Sequence, residues 1–140
     1  MKKLISFLTI AVIFTISCTR EIPLQNYYNN TADVSSLIDG NFAITNFSNL
    51  NSYADSTSKF NGYVFSFGSD GKVIVVKDNQ IFGGSYTESH VSGNNLELIF
   101  YFDNDPLNYL NGNWWIKSIS DASIDLGDAS TGDVLEFSAQ

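Results

Sequence analysis

The sequence predicts an all-β fold, an antiparallel up-and-down meander of about eight short strands closing into a small barrel, with a two-sheet β-sandwich as the alternative. Three observations carry this. From Asn41 onward apolar residues recur with a period of two, which sends successive side chains to opposite faces of a strand. Turn-forming clusters, Gly68-Ser69-Asp70-Gly71, Asp78-Asn79, Ser92-Gly93-Asn94-Asn95 and Gly127 to Gly132, return at the spacing of a meander. No later segment has the length of a crossover helix, so neighbouring strands run antiparallel. Closure into a barrel removes exposed strand edges.

Ahead of that pattern, Lys2 and Lys3 precede the apolar run Leu4 to Ser17, the charged and hydrophobic regions of a secretory signal. A transmembrane helix needs about 20 apolar residues to cross roughly 30 Å of hydrocarbon, and this run breaks at Cys18-Thr19-Arg20-Glu21. Cys18, the only cysteine, follows the small Ser17. This resembles the lipobox of bacterial lipoproteins, with Thr15 standing where that family usually has Leu. The resemblance implies cleavage before Cys18, acylation of its thiol and amine, and attachment to an outer membrane, since Thr19 does not mark inner-membrane retention. Two or more acyl chains, at about 0.8 kcal/mol per buried methylene, anchor stably. The expected organisation is a signal peptide over 1–17, a lipidated N-terminus and flexible tether over 18–32, and a barrel domain over 33–140.

Without Lys2 and Lys3, 5 basic side chains face 15 acidic ones, a balance of −10. That charge repels phosphate backbones, and no basic stripe interleaves with aromatics, so nucleic acid is excluded as a partner. Residues 18–140 suffice for one domain and one core, held without a disulfide.

Asp33 is placed to cap a short helix carrying Val34, Leu37 and Ile38 on one face, ended by Asp39-Gly40. The first strand holds Phe42, Ile44 and Thr45 to Phe47, followed by a polar loop from Ser48 to Ser58. Gly62 to Phe67 is the second strand. Lys72 to Lys77 is the third, and its run Val73-Ile74-Val75-Val76 predicts cover on both faces. Gln80 to Glu88 is the fourth, with a bulge or sharp bend expected at Gly83-Gly84. Leu96 to Phe102 alternates cleanly. Asp103 to Asn113 is a long connection with room for a helical turn, and Trp114 to Ser120, Ser123 to Leu126 and Asp133 to Ser138 complete the meander.

Gly40-Asn41-Phe42, Tyr63 to Phe67 running into Ser69-Asp70-Gly71, Gly84-Ser85-Tyr86, Trp114 to Ile119 and Ile124-Asp125-Leu126 together are similar to lipocalin-like lipoproteins of the Bacteroidetes type. Phe42 stands where that family's first strand usually has Trp. The resemblance implies a lipocalin-like barrel and a carrier of small apolar molecules.

Catalytic chemistry has no evident frame. His90 is the only histidine and reads as a solvated loop residue, so neither a nucleophilic triad nor a zinc site can be assembled. Asp103-Asn104-Asp105 invites a calcium loop, but Leu107 occupies the next ligand position and no Glu closes it; a turn capped ahead of Pro106 is the simpler reading. The chain is expected to be no enzyme, with no metal and no cofactor. Its aromatics, Tyr63 and Trp115 among them, are read first as core. If the barrel keeps a lumen, Phe65, Phe67, Phe82, Phe100, Trp114 and Phe137 would line an apolar ligand site. Two functions therefore stand open: a lipid-anchored envelope protein binding a small apolar ligand, or one with a filled barrel that binds another envelope protein or serves structurally.

Overall fold

The computed structural model describes Val34 and residues 38–49, 54–91, 95–128 and 130–140. The expected signal peptide, Cys18, the tether, the helix around Asp33 and Leu37, and the turn at 92–94 lie outside the described residues.

Nine strands are described: β1 (Asn41–Asn49), β2 (Ala54–Asp55), β3 (Val64–Phe67), β4 (Lys72–Lys77), β5 (Gln80–Val91), β6 (Asn95–Phe102), β7 (Gly112–Ile119), β8 (Ser123–Gly127) and β9 (Val134–Ala139). From β3 to β9 each pairs antiparallel with the next, and β1 pairs with both β3 and β9. Eight strands thus close into a barrel, as the period-two pattern predicts. The two-residue β2 lies outside the ring and pairs with the end of β1, Ser48 opposite Asp55. It falls in the stretch read from sequence as loop, as does part of a 3-10 turn, Thr57–Phe60. A second such turn, Leu107–Leu110, fills the long connection where a helical turn was expected. Its cap position is Pro106, with no side-chain hydrogen bond, so the acidic residues ahead of it do not cap it.

The tight turns follow from local chemistry. Asp78 and Asn79 both take positive φ, 50° and 63°, which suits the twist of a two-residue hairpin. At the β3–β4 hairpin Gly71 has φ +77°, and its N–H donates to the Gly68 carbonyl at 3.0 Å.

Two bulges reset the inside–outside alternation. The register shifts between Ile44 and Asn46 on β1 and between Ile116 and Ser118 on β7. Each inserts one residue, Thr45 or Lys117, so the inward side chains run Phe42, Ile44, Phe47 and Trp114, Ile116, Ile119. The bulge expected at Gly83-Gly84 is absent: β4 and β5 pair in continuous register from Lys77–Gln80 to Lys72–Ser85. Gly84 answers a packing demand instead, because a Cβ there would lie 2.2 Å from the Phe102 ring.

One apolar core fills the interior. Phe60, Leu107 and Leu110, all buried, are brought in by the two 3-10 turns at the end where β3 begins and β6 finishes. Val34 and Ile38, ahead of β1, are fully buried. The prediction that β4 is covered on both faces fails: Val73 and Val75 are buried, whereas Ile74 and Val76 face outward at 51% and 38% exposure. A closed barrel has only its inner face to cover, and no second layer packs outside β4 among the described residues.

Candidate functional site

The six residues expected to line an apolar site all belong to the inward set, and they pack on other rings. Phe65 and Phe67 come from β3, Phe100 from β6 and Phe137 from β9. In the ring of eight, these strands are two or three places apart. Phe65 meets Phe137 at 5.3 Å between centroids, and Phe67 meets both Phe137 at 5.6 Å and Phe100 at 6.1 Å. Phe100 and Phe137 close the triangle at 6.3 Å. Most of these pairs are edge to face, the arrangement favoured by ring quadrupoles. Trp114 packs on Phe47 at 6.2 Å and donates its indole N–H to the Leu110 carbonyl at 2.8 Å. Phe82, partly buried, lies 6.0 Å from Tyr63. At the level of Phe65, Phe100 and Phe137 the lumen is occupied by side chains.

Trp115, read from sequence as core, points outward and is 39% exposed. Adjacent strand residues cannot share a face, so with Trp114 inside its neighbour must be outside. Its indole N–H donates to Oε1 of Glu97, across the ladder on β6. Glu97 is buried at 8% exposure and also accepts from Asn113 Nδ2 at 3.4 Å. The ring is therefore held in one orientation by a buried acceptor.

Beside Trp115 is a recess of about 300 Å³, lined by Trp115, Ile116, Lys117, Gly127, Asp128, Gly132 and Asp133. The β7 bulge turns Lys117 across the sheet, so that its Cε and Nζ occupy the space over Gly127 that a Cβ would need. Gly127 pairs with Trp115, and having no side chain it leaves room there for the Lys117 stem. The rim is a well-tied loop. Asp128 Oδ1 accepts from the Ser130 amide, the Ser130 hydroxyl and the Thr131 amide at 2.7, 2.6 and 3.1 Å. Burial pushes the Asp128 carboxyl up, but the hydrogen bonds from Ser130 and Thr131 outweigh it and hold the group below the usual carboxylate range. Asp133 accepts from Asn49 Nδ2 at 3.0 Å.

A third feature lies on the other side of the barrel. Ile74 and Val76 on β4 and Ile81 on β5, the last 75% exposed, share the outer face with half-buried Val64. Val76 pairs with both Val64 and Ile81, and Ile74 faces Gly83, so the strip is contiguous and low in relief. Sequence reading missed it because an apolar run of four on one strand is the same whether one face or two are covered.

His90 lies on β5 opposite Leu96 and is exposed; it is not the loop residue expected. Among the described residues no three His, Cys, Asp or Glu side chains gather as metal ligands would. Asp103 instead accepts a hydrogen bond from the Tyr101 hydroxyl at 2.6 Å.

No protein-family model matches the chain, and no curated protein matches it. Among solved structures, the chain is similar to a DUF4847 family protein from Bacteroides vulgatus ATCC 8482. The two are 12% identical, the likeness covers 77% of this chain and 98% of the other, and the TM-score is 0.47. A likeness of that degree carries no inference about function.

Proposed function

We propose that this chain is a lipid-anchored, non-catalytic protein of the cell envelope, held at an outer membrane through Cys18, whose barrel is a packed scaffold and whose outer surface binds an envelope protein. The observation that carries this reading is the meeting of Phe65, Phe67, Phe100 and Phe137 across the lumen. The side chains that would have received an apolar ligand are in contact with one another, and a guest at that level must first separate them. The recess beside Trp115 supports the surface role. A fixed, part-exposed indole next to a small cavity is the kind of place where a partner's side chain anchors.

The test uses the two tryptophans separately. In a Trp115→Phe variant the remaining Trp114 reports on the interior, and titration with an apolar fluorescent probe should leave its emission unchanged. Saturable quenching of Trp114 would restore the ligand-carrier reading. Anchoring is tested apart from this: Cys18→Ala should abolish labelling by a fatty-acid analogue, and continued labelling would end that part of the proposal.

A further inference from the structure

We propose that the outer strip of Ile74, Val76 and Ile81 rests on the surface of the lipid bilayer, so that the β4 side of the barrel faces the membrane and the Trp115 recess faces away from it. This rests on the lipid anchor proposed above. Four arguments select a bilayer over other occupants.

The first is size. Three exposed aliphatic side chains and part of Val64 fall well short of the roughly 800 Å² per partner that a stable protein interface buries, yet a tethered domain needs little, because its anchor already supplies a high effective concentration at the surface. The second is charge. Residues 34–140 carry four basic side chains against thirteen acidic ones, so two copies meeting face to face repel. The third is the strip's edges. One of those four basic side chains, Lys72, stands at the end of β4 on the same face as Ile74 and Val76, while Lys77 falls on the inner face with Val73 and Val75 and sits 4.4 Å over the Tyr63 ring. A long amine beside aliphatic surface is suited to an interface, its stem toward acyl chains and its head toward phosphate. Lys72 pairs with Asp70, so the charge at this edge of the strip is balanced, which fits a zwitterionic bilayer. The fourth is the place where the chain joins the barrel. Asn41 opens β1 opposite Ser66, which pairs with Ile74, two strand spacings or about 10 Å away. The sixteen residues from Cys18 to Asp33, ahead of the buried Val34, can span on the order of 50 Å. The tether therefore confines the domain without orienting it, and the strip determines which side turns to the lipid. In the ring of eight, β8 lies four places from β4, which puts Gly127 and the recess on the far side.

The experiment compares the rate at which a membrane-impermeant maleimide modifies Ile81→Cys on the strip and Asp125→Cys on the outer face of β8. It uses the lipidated protein in phosphatidylcholine vesicles. In parallel, a form with residues 1–18 replaced by a histidine tag, which leaves the described barrel intact, is held on the same vesicles by nickel-chelating lipid. Each variant is referred to its own rate without vesicles, since Ile81 is 75% exposed and Asp125 is half-buried; the expected result is modification of Ile81→Cys slowed about tenfold on vesicles by either tether, with that of Asp125→Cys unchanged. An Ile81→Cys rate that vesicles leave unchanged, or slow no more than that of Asp125→Cys, would overturn the proposal. So would concentration-dependent protection of Ile81→Cys in the absence of lipid, which would mean that a second copy covers the strip. Protection by the nickel tether with no acyl label at Cys18 would support the strip and end the lipoprotein reading, so the two failures are distinguishable.

Discussion

Phe65 on β3 and Phe137 on β9 meet inside the barrel with their ring centroids 5.3 Å apart and their planes at 78°, and neither is more than 1% exposed. Because Phe137 also touches Phe67 and Phe100, its ring joins three strands. Replacing it with Ala should cost about 3–5 kcal/mol, read as a lower urea midpoint. The same variant should gain saturable uptake of a small apolar probe, since it opens a dry apolar cavity. A variant that loses stability and takes up nothing would show that the core collapses into the space.

Gly84 is held by its neighbour's ring. A Cβ there would also come within 3.0 Å of the Tyr101 carbonyl, so neither the ring nor the backbone has room to yield easily. Gly84→Ala should destabilise by about 1–3 kcal/mol through overpacking, while Gly83→Ala, with nothing within 4 Å of its added carbon, should be near neutral. Thermal unfolding of the pair decides it; equal shifts would mean that strand propensity, and not the Phe102 contact, governs both.

The Trp115 ring depends on Glu97. Glu97→Ala removes the acceptor for two donors, Trp115 Nε1 and Asn113 Nδ2, and should cost about 1–3 kcal/mol. It should also loosen the indole, seen as a red shift and lower anisotropy of Trp115 emission in a Trp114→Phe background. Glu97→Gln keeps an acceptor and should retain most of both properties.

Asp128 makes the recess rim acid-sensitive. Its carboxyl titrates below the usual range in the folded chain, where Ser130 and Thr131 hold it ionised, so the unfolded chain takes up the proton first as pH falls. The stabilisation is complete above the unfolded value of about 3.9 and is lost as pH drops through the lower folded value. The difference in thermal stability between the unaltered chain and Asp128→Asn should therefore shrink below about pH 4. A difference that stays constant down to pH 2 would remove Asp128 from the account.

All eight barrel strands are legible in the sequence, because the period of two and the turn clusters are local signals. The bulges are visible only afterwards, as spacings of three between Ile44 and Phe47 and between Ile116 and Ile119. An extra residue such as Thr45 or Lys117 carries no mark of its own until its partner strand is known. In the sequence Gly83-Gly84 reads as a bulge or sharp bend, whereas the cause of Gly84 is the Phe102 ring, eighteen residues away.

The sequence by itself determined the meander, its antiparallel pairing and its turns, because each is set by neighbours along the chain. The tertiary structure alone decided what lies inside and what lies outside. It brought Phe65, Phe100 and Phe137 from separate strands into one packed level, and it turned Trp115 outward against Glu97. It also left Ile74, Val76 and Ile81 uncovered. The physical reason is closure: a barrel buries one face of every strand, and only the pairing of β1 with β9 fixes which face that is and which rings meet across it.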